Sequence, residues 1–284
     1  MPELEVGGRT VLFTEVAGDE PVLLLHAASS SSAQWQGGLE TLLTDHGLRV
    51  LALDLQGYGG STAWDARSPL QLEDEFGPLR AVLAYLGNGK LHIVGHSYGA
   101  MIALRFALAN QTSPVSSLTL IEPIAFWLLR EAGEHRLFDE IQATATAFAE
   151  AFDAGNAAGA AAGFVDYWSG PGAWRFLPAS VRDYAIATAG KVRREWPLAL
   201  GEAEIGANLA EHARLHVPTL VICGERTRAP ARRVAQLVRS AIPRAELAEI
   251  PQAGHMSPLT HPKAVGEAIL ATIRQHSHFP MVRS

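Results

Sequence analysis

The run Leu91-His92-Ile93-Val94-Gly95-His96-Ser97-Tyr98-Gly99-Ala100 sets one serine between two glycines, each two residues away. A G-x-S-x-G pattern means little alone. It means more when a strand ends at the first glycine and a helix opens after the serine. Both are predicted here. The turn between them is sharp, and a Cβ at Gly95 or Gly99 would collide with the adjoining strand or helix. It exposes the Ser97 hydroxyl above the sheet and aims a helix N-terminus at the reacting group. A serine held this way, given a base and a carboxylate, attacks carbonyl carbon and passes the acyl group to water.

Such a turn needs a sheet behind it. The runs Val11–Val16, Val22–Leu25, Val50–Leu53, Leu91–Val94, Leu118–Ile121, Thr219–Cys223 and Leu247–Ile250 are predicted strands. Most are nearly continuously apolar, as strands covered on both faces are. Helical patterns lie between them at about 33–45, 69–86, 98–110, 230–242 and 262–275. The alternation predicts an α/β fold: a mostly parallel central sheet with helices on both faces. The segment 98–110 is apolar nearly all round, so it is expected against the sheet centre. From about 124 to 214 the rhythm breaks. This stretch is rich in Ala, Gly and aromatic residues and carries no convincing strand. The expected organisation is a core of 1–123 and 215–284, with a helical cap at 124–214.

Four blocks then resemble the α/β-hydrolase fold family over nearly the whole chain. His26-Ala27-Ala28, followed by serines up to Trp35, is similar to its oxyanion loop, with Ala27 where glycine is usual. Asp54-Leu-Gln-Gly57-Tyr-Gly59-Gly-Ser61 is similar to its D-x-x-G-x-G-x-S block. Gly95–Gly99 is similar to the nucleophile elbow, and Ala253-Gly254-His255 to the catalytic-histidine loop. The resemblance implies Ser97 as nucleophile and His255 as base, with backbone N–H groups of Ala28 and Tyr98 forming the oxyanion hole. His96, whose backbone position points it away from the oxyanion side, is expected to be structural, and His26 to brace its loop.

The family's usual acid position falls on Thr227, in Gly224-Glu-Arg-Thr227. No Asp or Glu occurs from Arg226 to Ala245. Glu122, directly after Leu118-Thr-Leu-Ile121, lies at the carboxyl end of the sheet. Some branches of the family look similar in placing the acid there, so Glu122 is the expected orienting acid. Glu225 is the alternative. Thr227→Ala is expected to be nearly silent.

The mechanism alone does not choose a substrate. Twelve of the 21 aromatic residues lie between Phe126 and Trp196, which suggests an apolar or aromatic small molecule under the cap. Ser29, Trp127, Trp168 and Met256 are the expected substrate contacts, with about two-thirds of the cap aromatics expected to form its core. The reading is a serine hydrolase of carboxylic esters or lactones. Carbon–carbon or amide hydrolysis on the same residues, a cofactor-free oxygenase using His255 as base, and a non-catalytic receptor are the alternatives. An epoxide- or halide-opening alkyl-enzyme needs Asp where Ser97 stands.

Composition bounds the rest. The chain has 284 residues, is 48% apolar, and carries a formal net charge of −6. Disorder is excluded by that apolar content, and nucleic-acid binding is not expected without a basic stripe. No run approaches the roughly 20 apolar residues of a spanning helix, and no leader pattern is visible at the N-terminus. The single Cys223 allows no intramolecular disulfide and no cysteine metal site. No metal, no cofactor and a cytoplasmic setting are expected, and the oligomeric state is open.

Overall fold

The computed structural model describes residues 2–63, 69–87, 89–112, 114–202 and 207–276. Eight strands form one sheet: β1 (Glu3–Val6), β2 (Arg9–Val16), β3 (Glu20–Leu25), β4 (Leu48–Leu53), β5 (Leu91–His96), β6 (Val115–Ile121), β7 (Thr219–Gly224) and β8 (Ala245–Ile250). Their order is β1-β2-β4-β3-β5-β6-β7-β8. The β1–β2 and β2–β4 pairs are antiparallel, and every other pairing is parallel. The polar strand β1, absent from the sequence reading, alternates exposed and half-buried residues at the sheet edge. There, hydropathy gives no apolar run to detect.

The parallel strands are buried on both faces. Against one face pack α1 (Leu39–Thr44) and α10 (Pro262–His276), whose Leu39, Leu43, Val265, Ile269 and Ile273 meet Val22, Leu24, Val50 and Ile222. Against the other pack α2 (Leu72–Tyr85), α3 (Tyr98–Ala109) and α9 (Ala229–Ala241). Helix α3 is nearly all buried, as its apolar circumference requires.

Between β6 and β7 the chain forms a helical cap: α4 (Trp127–Glu131), α5 (His135–Asp153), α6 (Ala157–Ser169), α7 (Ala179–Leu200) and α8 (Leu209–His212). Residues 203–206 of this stretch lie outside the described residues. The cap's buried aromatics belong to the same apolar cluster as α2, α3 and α9. It therefore rests on the sheet layer through a shared core. Phe126, Trp127, Phe138, Phe148, Trp168 and Trp196 are buried, whereas Phe176 is 84% exposed. No described helix is long and apolar enough to cross a membrane.

Candidate active site

Three strand ends meet at the carboxyl edge of the sheet, and each delivers one side chain. Strand β5 ends at His96, and Ser97 caps α3 with φ 55° and ψ −112°. Such a conformation costs a non-glycine residue about 1–3 kcal/mol and persists only where its surroundings impose it. A Cβ on Gly95 would lie 2.4 Å from the Gly99 carbonyl oxygen, and one on Gly99 would lie 2.3 Å from that of Leu25. Both glycines are therefore sterically required. The Ser97 N–H donates to the Ile121 carbonyl at 2.8 Å, tying the turn to the end of β6.

The Ser97 hydroxyl donates to His255 Nε2 at 3.0 Å, and His255 Nδ1 donates to Glu122 Oε2 at 3.2 Å. Ser97, His255 and Glu122 are 4%, 3% and 0% exposed. Glu122 has φ 52°, a second strained non-glycine residue at a strand end. Its Oε1 accepts the Gly224 N–H at 2.7 Å, and its Oε2 also accepts the Thr227 hydroxyl at 2.5 Å. The carboxylate thus receives two donors from the β7 loop besides the imidazole. This corrects the expectation for Thr227. It occupies the position where an acid is usual in the family, yet its hydroxyl bonds the Glu122 carboxylate rather than standing idle. Glu225 faces away and accepts the Gln252 N–H at 2.7 Å.

The other two site histidines brace. His96 Nε2 donates to the His255 carbonyl at 2.9 Å, tying down the loop that carries His255. Burial, and then the neighbouring His255, push the His96 imidazole down to about 3, so it is neutral. His26 donates from Nδ1 to the Ala27 carbonyl and accepts the Leu55 N–H at Nε2. Burial lowers it to about 4. The left-handed turn of this loop falls on Ser29 (φ 56°), not on Ala27 or Ala28. An alanine at 27 is therefore unstrained there.

Two cavities flank the triplet. A narrow inner chamber of about 10 Å³, room for about one water, is lined by Ser97, Ala28, Ile124, Val192, Glu195 and Trp196, among others. An outer cleft of about 670 Å³ is lined by His255, Met256, Tyr167, Arg226 and Arg228. Trp168 borders both, and its ring stacks on the His255 imidazole at 4.0 Å between centroids. Met256 lines the outer cleft with His255, and Trp168 lines both cavities. Ser29 instead meets the cap, its hydroxyl 3.1 Å from that of Thr188 on α7. Trp127 is a correction. It borders neither cavity, because its indole N–H donates to the Ala207 carbonyl and Arg105 covers its ring.

The sequence reading missed one cluster beside the chamber. Lys191 pairs with Glu75, and lies 3.4 Å from Glu195 one turn along α7. Tyr98 donates to Glu75 at 3.0 Å, and Tyr58 to Glu195 at 2.8 Å. All five side chains are buried. The available signal was a lysine and a glutamate at i, i+4 on α7, flanking Val192 and followed by Trp196. Cys223 is buried, and burial raises its thiol to about 11, so it is no nucleophile at neutral pH. Among the described residues no group of three or more His, Cys, Asp or Glu is placed to hold a metal ion.

The model of the alpha/beta hydrolase fold matches residues 20–262. Among curated proteins, the chain is 36% identical over 120 residues to the dihydrolipoyllysine-residue acetyltransferase component of the acetoin cleaving system of Pseudomonas putida. That match covers 41% of this chain and 31% of the relative. It is 26% identical over 133 residues to a proline iminopeptidase of Lactiplantibacillus plantarum, 46% of each chain. It is 33% identical over 86 residues to epoxide hydrolase B of Mycobacterium tuberculosis, 30% of this chain and 24% of the relative. The matches thus span less than half the length of these relatives. Solved structures align more fully. A thermophilic esterase from Thermogutta terrifontis aligns over 98% of this chain and 100% of its own, with TM-score 0.73 and 23% identity. An enzyme described as degrading N-acyl homoserine lactone aligns over 95% and 99%, with TM-score 0.73 and 20% identity. At such identities the likeness concerns the fold. With its parallel sheet, its serine turn and a family match over most of its length, this chain belongs to the alpha/beta hydrolase fold family.

Proposed function

We propose that the protein is a serine hydrolase that cleaves a carboxylic ester or lactone of an apolar or aromatic small molecule through an acyl-enzyme on Ser97. The observation that carries this reading is the continuous hydrogen-bonded line from Ser97 Oγ to His255 Nε2 and from Nδ1 to Glu122. His255 takes the Ser97 proton as the oxygen attacks the carbonyl carbon. Glu122 fixes the imidazole tautomer and stabilises the imidazolium that forms. The backbone N–H groups of Ala28 and Tyr98 are assigned to the developing oxyanion. Each such donor is worth about 3–4 kcal/mol of barrier. His255 then returns its proton to the leaving oxygen, and water repeats the sequence on the acyl-enzyme.

The proton delivery orients the substrate. The leaving group must lie beside His255, which lines the outer cleft. The acyl part is then directed to the inner side of Ser97, among Ile124, Phe164, Val192 and Trp196, where the void of about 10 Å³ must widen to admit it. Residues 124–214 are taken as the lid over both. The aromatic and aliphatic lining supports an apolar acyl group.

A panel of aryl esters, lactones and thioesters, run beside Ser97→Ala, tests the reading. Turnover of an ester or lactone that disappears in the variant is expected, together with labelling of Ser97 by a fluorophosphonate. Oxygen uptake with an aromatic substrate and no hydrolysis would replace this reading with that of an oxygenase.

A further inference from the structure

The inner chamber is not wholly apolar. Glu195 lines it together with Ser97 and Ala28, and is 2% exposed. Its Oε1 accepts the Tyr58 hydroxyl and lies near Lys191 Nζ. Its Oε2 has no hydrogen-bond partner, although it is buried. An unpaired carboxylate oxygen away from water costs several kcal/mol unless something completes it. The surrounding charge is also unbalanced. Two carboxylates, Glu75 and Glu195, share the single ammonium of Lys191, itself held over the rings of Tyr58 and Tyr98. Burial raises the Glu195 carboxyl to about 7, against the opposing pull of Lys191 and of the Tyr58 hydrogen bond. A fold that needed only rigidity at this place would gain by an apolar pair of similar volume.

We propose that Glu195 is a specificity determinant of the acyl chamber, where its free carboxylate oxygen accepts a hydrogen bond from a hydroxyl or ammonium group on the substrate's acyl part. This rests on the assignment of the chamber, a void of about 10 Å³ that must widen to admit a ligand, to the acyl group. The scaffold suits the task. Tyr58 and Lys191 hold one oxygen of Glu195, so the other is fixed in direction. Glu75 links the same lysine to Tyr98, the residue after the nucleophile. The acyl donor would therefore be read by a group tied to the wall of the reaction site. A hydroxyl would satisfy the orphan oxygen. An ammonium would also balance the second carboxylate.

The test uses p-nitrophenyl esters of butanoate, of 2- and 3-hydroxybutanoate, and of 2- and 3-aminobutanoate. The expected result is at least a tenfold higher kcat/KM for one donor-bearing ester than for butanoate. That ratio is expected to fall to about one in Glu195→Leu. Glu195→Gln keeps the cluster polar and separates the two donors. An amino preference lost in Glu195→Gln assigns an ammonium, and a hydroxyl preference kept there assigns a hydroxyl. Equal rates across the esters, or a preference that survives Glu195→Leu, overturns the proposal. Binding of the matching amides to Ser97→Ala, followed by quenching of Trp168 and Trp196, gives a readout independent of turnover. If ester cleavage proves independent of Ser97, the hydrolase reading fails. Glu195-dependent preference for a donor-bearing amide would still sustain the recognition role, and equal amide affinities would end it.

Discussion

Glu122 and Glu195 are both fully buried carboxylates within the same enzyme-like site, yet they are built in opposite ways. Glu122 has every oxygen engaged: Gly224 on one, Thr227 and His255 on the other. Glu195 has one oxygen held by Tyr58 and Lys191 and one left without a partner. Glu122 stands on a rigid strand end with a strained φ. Glu195 stands on a cap helix and faces the chamber. The difference teaches what each geometry is suited to. A carboxylate that must orient a histidine through a whole reaction is best saturated and immobile. One that must recognise a variable ligand needs an open valence.

The hardest break of this contrast is at the Glu122 end of the line. Ser97→Ala is expected to lower kcat by about 10⁶-fold, measured with the best aryl ester of the panel. Glu122→Gln is expected to lower kcat by about 10⁴-fold, through the wrong histidine tautomer, with an unchanged melting temperature. Near-wild-type turnover in Glu122→Gln would remove the relocated acid.

At the other cluster the expected effect is on folding. Lys191→Met leaves Glu75 and Glu195 without their cation and is expected to cost about 3–5 kcal/mol in denaturant unfolding. The double change Lys191→Met with Glu75→Gln should recover a measurable part of that loss. If Lys191→Met is as stable as the parent, the cluster is not the ionic unit described.

Thr227→Ala sharpens the saturated side of the comparison. Losing a hydrogen bond to a charged group is worth about 1.5–3 kcal/mol. A fall of roughly tenfold or more in kcat is therefore expected, rescued by Thr227→Ser. A silent Thr227→Ala would show that His255 and Gly224 alone suffice to hold Glu122.

A further contrast lies in the pH dependence of stability, where the two ends have opposite signs. His26 and His96 sit near 4 and 3 in the fold but titrate near 6.5 when unfolded. Their contribution is intact above about 6.5 and is lost as the pH falls, by about 1.4 kcal/mol per pH unit for each. Glu195, raised to about 7, contributes stability at low pH that is lost as the pH rises from about 4.5 to 7. His26→Gln should flatten the acid limb by about one proton, and Glu195→Gln the limb from 4.5 to 7. Unfolding curves at five or six pH values would show whether either slope fails to change.

Much of the fold was legible because its signals are local. The apolar strands, the all-apolar α3 and the glycines of the serine turn each follow from residues adjacent in sequence. The edge strand β1 was not legible, since its alternation is polar against half-buried. At the site, Ser97 is carried by its own pentapeptide. Thr227 was misread because its partner lies 105 positions away. Trp127 was misread because neighbouring sequence cannot say which side of α4 faces the chamber. Glu195 was overlooked because its partners come from α2, the β4–α2 loop and α7.

The sequence by itself determined a parallel α/β sheet, a strained serine turn at the end of one strand, and an absence of acid from the usual loop. These depend on short-range sterics and on hydrophobic period, which a linear chain displays. Only the tertiary structure decided that Thr227 bonds Glu122, that Trp168 stacks on His255, and that Glu195 lines the same void as Ser97 with an oxygen to spare. Those facts arise where strand ends and a cap helix converge in space, and the distance between two side chains there is set by packing rather than by their separation along the chain.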